Sequence, residues 1–292
     1  MKIVWKMLSV FFLSSSSFAM TETFQNLTPQ QGQLDLRVGA IYNNVTTQNK
    51  FGTTATSDGS QIPMSVIYGI YGSHAVEVDF SYTSLTSKGI STSEQKGFDN
   101  IFVGYRGNWD LDPVTIFVKT GFEIPPEKAS QSVQFNNDSS SNSSTGQLSY
   151  SIMTGILTTT SFAKLGVLAE YQTNRDGDMD YSPSPGTTFS GKIQGGDAYG
   201  FGAFGEIDNS FHPNVMVAYT RHMSSDFLFN GIATSWSNGY ETMSAQGTMR
   251  FLVTPNIEII PELAYMTLLN QSDMNLSKYD SFYAGLSARF VF

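Results

Sequence analysis

Cysteine is absent from all 292 residues. That excludes disulfide staples, and it excludes a lipid anchor, which needs a cysteine at the cleavage site. Charge is scarce as well: Asp, Glu, Lys and Arg make up 14% of the chain, against about 25% in ordinary soluble domains. A soluble protein this poor in charge would struggle to cover its surface. Beyond the first residues no run of eighteen apolar side chains occurs, so no helix of the chain can span a bilayer. Basic residues number 16 against 25 acidic ones, a balance that argues against nucleic acid as a partner. Aromatic residues, in contrast, are plentiful at 13%.

The N-terminus reads as an export signal. Lys2 and Lys6 precede a short apolar run from Met7 to Leu13, a serine tract, and the small residues Ser17 and Ala19. The order basic, apolar, small predicts cleavage after residue 19. Residues 1–19 hold no acid, so their removal takes the formal net charge of −9 to about −11. A short periplasmic segment is expected at 20–33, followed by a single barrel domain over 34–292.

That domain rests on strict alternation of apolar with polar or small residues, in segments of about ten. Val76, Val78, Phe80 and Tyr82 point one way and Glu77, Asp79, Ser81 and Thr83 the other. Twelve such rows follow one another, beginning at Leu34, Ile62, Val76, Ile101, Val114, Leu148, Leu165, Tyr199, Val215, Met243, Ile257 and Phe282. Short turns are expected at Gly72-Ser73, Asp110–Pro113, Thr158–Phe162, Asp208–Asn214 and Thr254–Asn256. Long polar loops are expected at 43–61, 84–97, 125–146, 173–196, 223–240 and 268–278. Within these, Asn136–Ser144 and Asn174–Gln194 read as mobile outer loops too polar to bury apolar surface. Soluble sandwiches and lipocalin-like barrels alternate too. Outward rows free of charge and the asymmetry of the connections favour an all-β, closed, antiparallel up-and-down transmembrane barrel of about twelve strands. Its place is the bacterial outer membrane, in contact with outer-membrane lipid and lipopolysaccharide.

The chain ends Gly285-Leu-Ser-Ala-Arg-Phe-Val-Phe292. Ala288, Phe290 and Phe292, spaced by two, resemble the assembly signal of Gram-negative outer-membrane β-barrel proteins. The resemblance implies the barrel-assembly machinery as a partner. The stretch from Ile101 to Pro126, ending Gly121-Phe-Glu-Ile-Pro-Pro126, resembles outer-membrane channels linked to degradation of aromatic compounds.

Catalytic constellations are thin. His74 and His212 fall at periplasmic turns, and His222 lies at an outer strand end with Asp226 four residues on. The facing His-Asp and Asp-Asp pairs of an omptin-type protease are not found. Ser235-Trp-Ser-Asn-Gly239 resembles the active-site stretch of outer-membrane phospholipase, which implies a histidine two residues before Ser237. Ser235 stands there, so Ser237 would lack its general base. Asp176, Asp178 and Asp180 have the spacing of a calcium loop. Tyr181 and Thr187 occupy the sixth and twelfth places, where an EF-hand needs glycine and glutamate. A loosely held surface Ca²⁺ and a solvated acidic loop both stay open. No enzyme, cofactor or dedicated metal site is expected.

The inward charges are Arg37, Glu77, Asp79, Arg106, Lys119, Lys164, Glu206, Arg250, Glu258, Glu262 and Arg289. They are expected to form either a salt-bridge network that stiffens and partly closes the barrel or a constriction that selects solutes. Arg250 is expected to sit diagonal to Glu258 and Glu262. Phe102, Phe117, Leu168, Phe204, Ile260 and Met266 share that face. The leading expectation is a porin-like channel for passive passage of a small solute. The alternative is a non-conducting structural or adhesive barrel that displays its loops.

Overall fold

The computed structural model describes residues 29–49, 52–88, 92–133, 139–184, 186–230, 232–237, 239–270 and 276–292. The export signal at 1–19 lies outside these residues, as does most of the 20–33 segment. Twenty strands follow in order: β1 (Leu34–Asn49), β2 (Thr54–Tyr71), β3 (His74–Lys88), β4 (Thr92–Phe98), β5 (Ile101–Asp110), β6 (Val114–Ile124), β7 (Ala129–Val133), β8 (Ser139–Ser141), β9 (Ser149–Thr159) and β10 (Ala163–Asn174). The second half comprises β11 (Gly177–Ser184), β12 (Thr187–Gly195), β13 (Ala198–Ile207), β14 (Asn214–His222), β15 (Ser225–Phe229), β16 (Ile232–Ser237), β17 (Tyr240–Thr248), β18 (Phe251–Thr254), β19 (Ile257–Asn270) and β20 (Leu276–Val291).

Twelve of these make the wall. Each pairs antiparallel with the next in the cycle β1-β2-β3-β5-β6-β9-β10-β13-β14-β17-β19-β20, which closes on β1. The closing pair runs from Asp35↔Val291 to Asn49↔Leu276, and Leu34 and Phe292 exchange backbone hydrogen bonds of 3.0 and 2.9 Å. Closure matters because an unpaired strand edge cannot be hydrated inside lipid. Every one of the twelve alternating rows lies on a wall strand, and the five short turns join consecutive ones. β18 continues β17 past a gap at Met249-Arg250, opposite Pro261, whose missing N–H interrupts the ladder. At the periplasmic end Gly32 and Gln33 bond to Gly69. A side chain at Gly69 would collide with the Gln30 carbonyl.

The outer connections differ from expectation. Segments 43–61, 84–97, 173–196 and 223–240 are largely strand, not loop, and 125–146 contributes the short strands β7 and β8. β1, β2 and β3 simply run on past the wall. The other outer strands form a sheet in the order β4-β8-β7-β11-β12-β15-β16, with β4–β8 and β7–β11 parallel and the remaining pairs antiparallel. This sheet has its own apolar core of Ala129, Met179, Tyr181, Ile193 and Phe227, against which Phe189 and Phe229 pack. Met179, Tyr181 and Ile193 come from the segment expected to bury nothing. Its sequence hides apolar residues on alternate positions among aspartates and serines, and hairpin pairing gathers them on one face.

Outward side chains form the lipid-facing belt, among them Val38, Ile62, Val103, Ile156, Val167, Phe201, Val217, Leu263 and Leu286. Tyr42, Tyr150, Tyr171 and Tyr265 edge the outer side, and Trp109, Phe162, Phe211 and Phe292 the periplasmic side, as interfacial aromatic girdles do. Three of the outer tyrosines donate to carboxylates above them: Tyr42 to Asp58 at 2.9 Å, Tyr171 to Asp197 at 3.2 Å and Tyr265 to Asp280 at 2.7 Å. Inside, the ring tips of Phe117 and Phe204 lie against Gly155 and Gly166, where any Cβ would strike them.

Candidate functional site

Most of the inward ionic groups form three sets, spread around the ring toward the periplasmic end. The first joins β19, β20 and β1. Asp35, fully buried, accepts from Arg289 Nε at 2.7 Å and from Arg37 Nη2 at 3.2 Å, and Arg289 Nη1 also donates to Glu258 at 2.9 Å. The second joins β3, β5 and β6. Glu77 is fully buried and grips the Arg106 guanidinium through both oxygens, while Lys119 reaches Glu77 at 3.1 Å and Asp79 at 2.9 Å. The Lys119 ammonium also stands 4.5 Å above the Phe102 ring. The third set joins β10 and β13 to the gap before β18. Glu206 takes Lys164 at 3.3 Å and Arg250 at 3.0 Å, with His212 Nδ1 3.6 Å away. The first two sets are formally neutral. Such compensation is what low-dielectric surroundings demand, since a buried charge without a partner is costly.

Cross-strand register explains the pairings. Glu258 is directly opposite Arg289, and Ile67 stands between Asp35 and Glu77 as their common neighbour on β2. Arg250 does not bond Glu258 or Glu262 as expected. The Glu258 carboxylate is held by its direct partner, which outcompetes a diagonal one, and the gap at Met249-Arg250 turns the Arg250 backbone to the Phe211 carbonyl, 2.7 Å away. Its guanidinium therefore reaches Glu206. Glu262 stands beside Gly285 on β20, where a Cβ would touch its carboxylate.

Two apolar clusters occupy adjoining arcs of the ring, which meet at the β14–β17 pair. Phe117, Met153, Leu157, Leu168, Phe204, Met216 and Ala218 project from β6 through β14. Ile41, Val45, Tyr240, Met266, Leu268, Tyr279 and Tyr283 project from β17, β19, β20 and β1 nearer the outer end. Inward positions such as Ile67, Ser65, Ala75 and Ser281 are at most 1% exposed, so side chains fill much of the barrel. Half-buried Glu123, Glu170 and Gln172 face the lumen above Lys119, with the Gln172 amide donating to Glu123 at 3.3 Å. Residues missed as site members include Asp35, Asp99, Glu123 and Glu170. Asp99 lies between β4 and β5 and accepts from Gln61 at 2.9 Å, from Thr83 at 2.8 Å and from Ser81. Parity on β1 would have found Asp35; nothing local marks Asp99.

The histidines are dispersed. His74 bonds the Tyr105 hydroxyl and packs edge-on to Trp109, and His222 stacks on Tyr240 with ring centroids 4.3 Å apart. The side chains of 234–238, including Ser235 and Ser237, lie outside the described residues. The aspartates of the calcium-like spacing do not converge: Asp178 and Asp180 are on a strand, and Asp180 is bound by Lys128 at 2.5 Å and Ser190 at 2.6 Å. Those two partners hold its carboxyl below the usual range. Among the described residues no group of three His, Asp or Glu could hold a metal ion.

No family model matches the chain, and no curated protein matches it. Solved structures do. An outer membrane channel from Pseudomonas putida F1 superposes with a TM-score of 0.61 at 12% identity, over 90% of this chain and 96% of that one. The transport unit of the autotransporter AIDA-I from Escherichia coli gives 0.55 at 9% identity, over 94% and 98%. The CymD monoaromatic hydrocarbon channel gives 0.51 at 11% identity, over 96% and 94%. These likenesses are of fold, and together with the closed wall and its apolar belt they make the chain a twelve-stranded β-barrel of the bacterial outer membrane.

Proposed function

We propose that the barrel passes a small, partly apolar solute passively across the outer membrane and catalyses no reaction. The observation that carries this reading is the pair of apolar clusters inside the barrel, set beside two ionic groups that are formally neutral. A hydrophilic porin presents free charge to water along its pore; here Phe117, Met153, Phe204 and Met216 pack into an apolar cluster, 2–8% exposed, so an aromatic or aliphatic group would pass by displacing side chains of its own kind. The packing of the lumen makes the path narrow, so ion flux should be low. That CymD is a monoaromatic hydrocarbon channel fits the same class of lumen chemistry. The eleven inward charges named from the sequence act on this reading as the frame of the path, and Glu123 and Glu170 as its polar outer section.

Liposome swelling tests it. Phenyl glucoside should enter barrel-containing vesicles faster than the smaller methyl glucoside, with small single-channel conductance in a planar bilayer. Entry ordered by size alone would make the lumen an unselective pore. Neither entry nor conductance would leave a structural barrel that displays its outer sheet.

A further inference from the structure

Two inward carboxylates stand outside the ionic sets. Glu123 on β6 and Glu170 on β10 face the lumen in the outer half of the wall, and among the described residues neither has a basic group within ion-pair distance. Lys119, the cation of that wall, is committed to Glu77 at 3.1 Å and Asp79 at 2.9 Å, and with Arg106 it makes their set neutral. Glu123 accepts the Gln172 amide at 3.3 Å, while Glu170 has no hydrogen-bond partner among the described residues. Asp99 also lacks a cation there, but Gln61, Ser81 and Thr83 all donate to it. Two negative charges are thus left open in a lumen where Asp35, Glu77 and Glu206 each hold a cation. Such charges are costly without a counter-charge.

Register sets a third acceptor between them. Lys119, Gly121 and Glu123 alternate inward on β6, Ser149, Ser151 and Met153 on β9, and Glu170, Gln172 and Asn174 on β10. Ser151 is central, opposite Gly121 on one side and Gln172 on the other. It is 9% exposed, and its hydroxyl has no hydrogen-bond partner among the described residues. The next inward residues toward the periplasm are Met153 below Ser151 and Leu168 below Glu170, both in the apolar cluster. A bare metal ion would make no use of that boundary, and among the described residues no group of three His, Asp or Glu could hold one. A primary ammonium on an apolar body matches both sides of it. Its three N–H donors meet two carboxylates and a hydroxyl, and its body continues into the cluster.

We propose that Glu123, Glu170 and Ser151 form a subsite for the ammonium group of an amphiphilic primary amine, whose apolar body lies against Met153 and Leu168. This inference rests on the reading of the barrel as a passage for partly apolar solutes, and it narrows that class to amines.

Isothermal titration calorimetry of the detergent-solubilised full chain, with phenethylammonium, 2-phenylethanol and phenylacetate as probes of one size, reads the charge preference without any substitution. Phenethylammonium should bind about tenfold more tightly than either of the others, or better. Glu123→Gln and Glu170→Gln should each weaken it by about tenfold. Glu94→Gln, exposed on β4, should not. Heat-shifted gel mobility reports whether each variant is folded, and the wild-type comparison stands whatever the variants do. Equal binding of the three probes, no binding of any, methylammonium bound as tightly as phenethylammonium, or undiminished binding by folded Glu123→Gln and Glu170→Gln would each overturn the proposal. Liposome swelling with phenyl glucoside tests the passage separately. Entry of that sugar without preference for the ammonium removes the subsite alone, whereas preferential binding without entry upholds the subsite and removes the passage.

Discussion

Glu77 and Glu206 are both inward carboxylates with two cationic partners, yet their surroundings differ. Glu77 is fully buried and its partners Arg106 and Lys119 are each 8% exposed, whereas Lys164 beside Glu206 is 40% exposed. Removing one partner of a truly buried pair costs roughly 3–5 kcal/mol, and hydration discounts that where water reaches the site. Arg106→Ala should therefore lower the denaturant midpoint in detergent more than Arg250→Ala, which leaves Lys164 on Glu206. Equal losses would mean that the two sets are hydrated alike. If the barrel conducts, Arg250→Ala should also shift the reversal potential toward cation selectivity, because positive charge has left the wall. Alternation alone gave the inward face of these residues, since parity is absolute along a strand. It could not give their partners. Which carboxylate Arg250 reaches depends on the interruption that Pro261 imposes and on the prior pairing of Glu258 with Arg289.

Among the elements, β20 and β8 stand at opposite ends of importance for the wall. β20 pairs along its length with β1 and β19, and Phe292 adds the last closing hydrogen bonds while its ring is 68% exposed toward lipid. Among the described residues β8 pairs with the outer strands β4 and β7 and with no wall strand. Deleting Phe292 should cut the amount of assembled barrel in the outer membrane far more than deleting Ser139–Ser141, as measured by surface labelling. Comparable levels would show that the terminal aromatic row is dispensable. The wall strands were readable because one face meets lipid and must be apolar. The outer strands were not, because both their faces are rich in serine, threonine and glycine. Only scattered residues such as Met179 and Phe227 mark the buried side.

For the whole molecule the decisive property is the unbroken hydrogen-bonded cycle. No wall strand offers a free edge at which detergent could begin to peel the sheet. The unheated protein should migrate differently from the boiled chain on a detergent gel, with a β-type circular dichroism spectrum before heating. Coincident bands would contradict closure.

The hydrogen bonds between Leu34 and Phe292 have a further consequence. The two ends of the barrel meet on adjacent strands, so the finished cylinder has no first strand: its geometry would accept a chain opened at any short periplasmic turn and rejoined here. The thermodynamic object is circular while the biosynthetic one is linear. What breaks the symmetry is history, the order in which a chain is delivered and the terminus at which assembly begins. A relinked chain would thus keep the destination and lose the address, which separates what the sequence says about the folded state from what it says about reaching it.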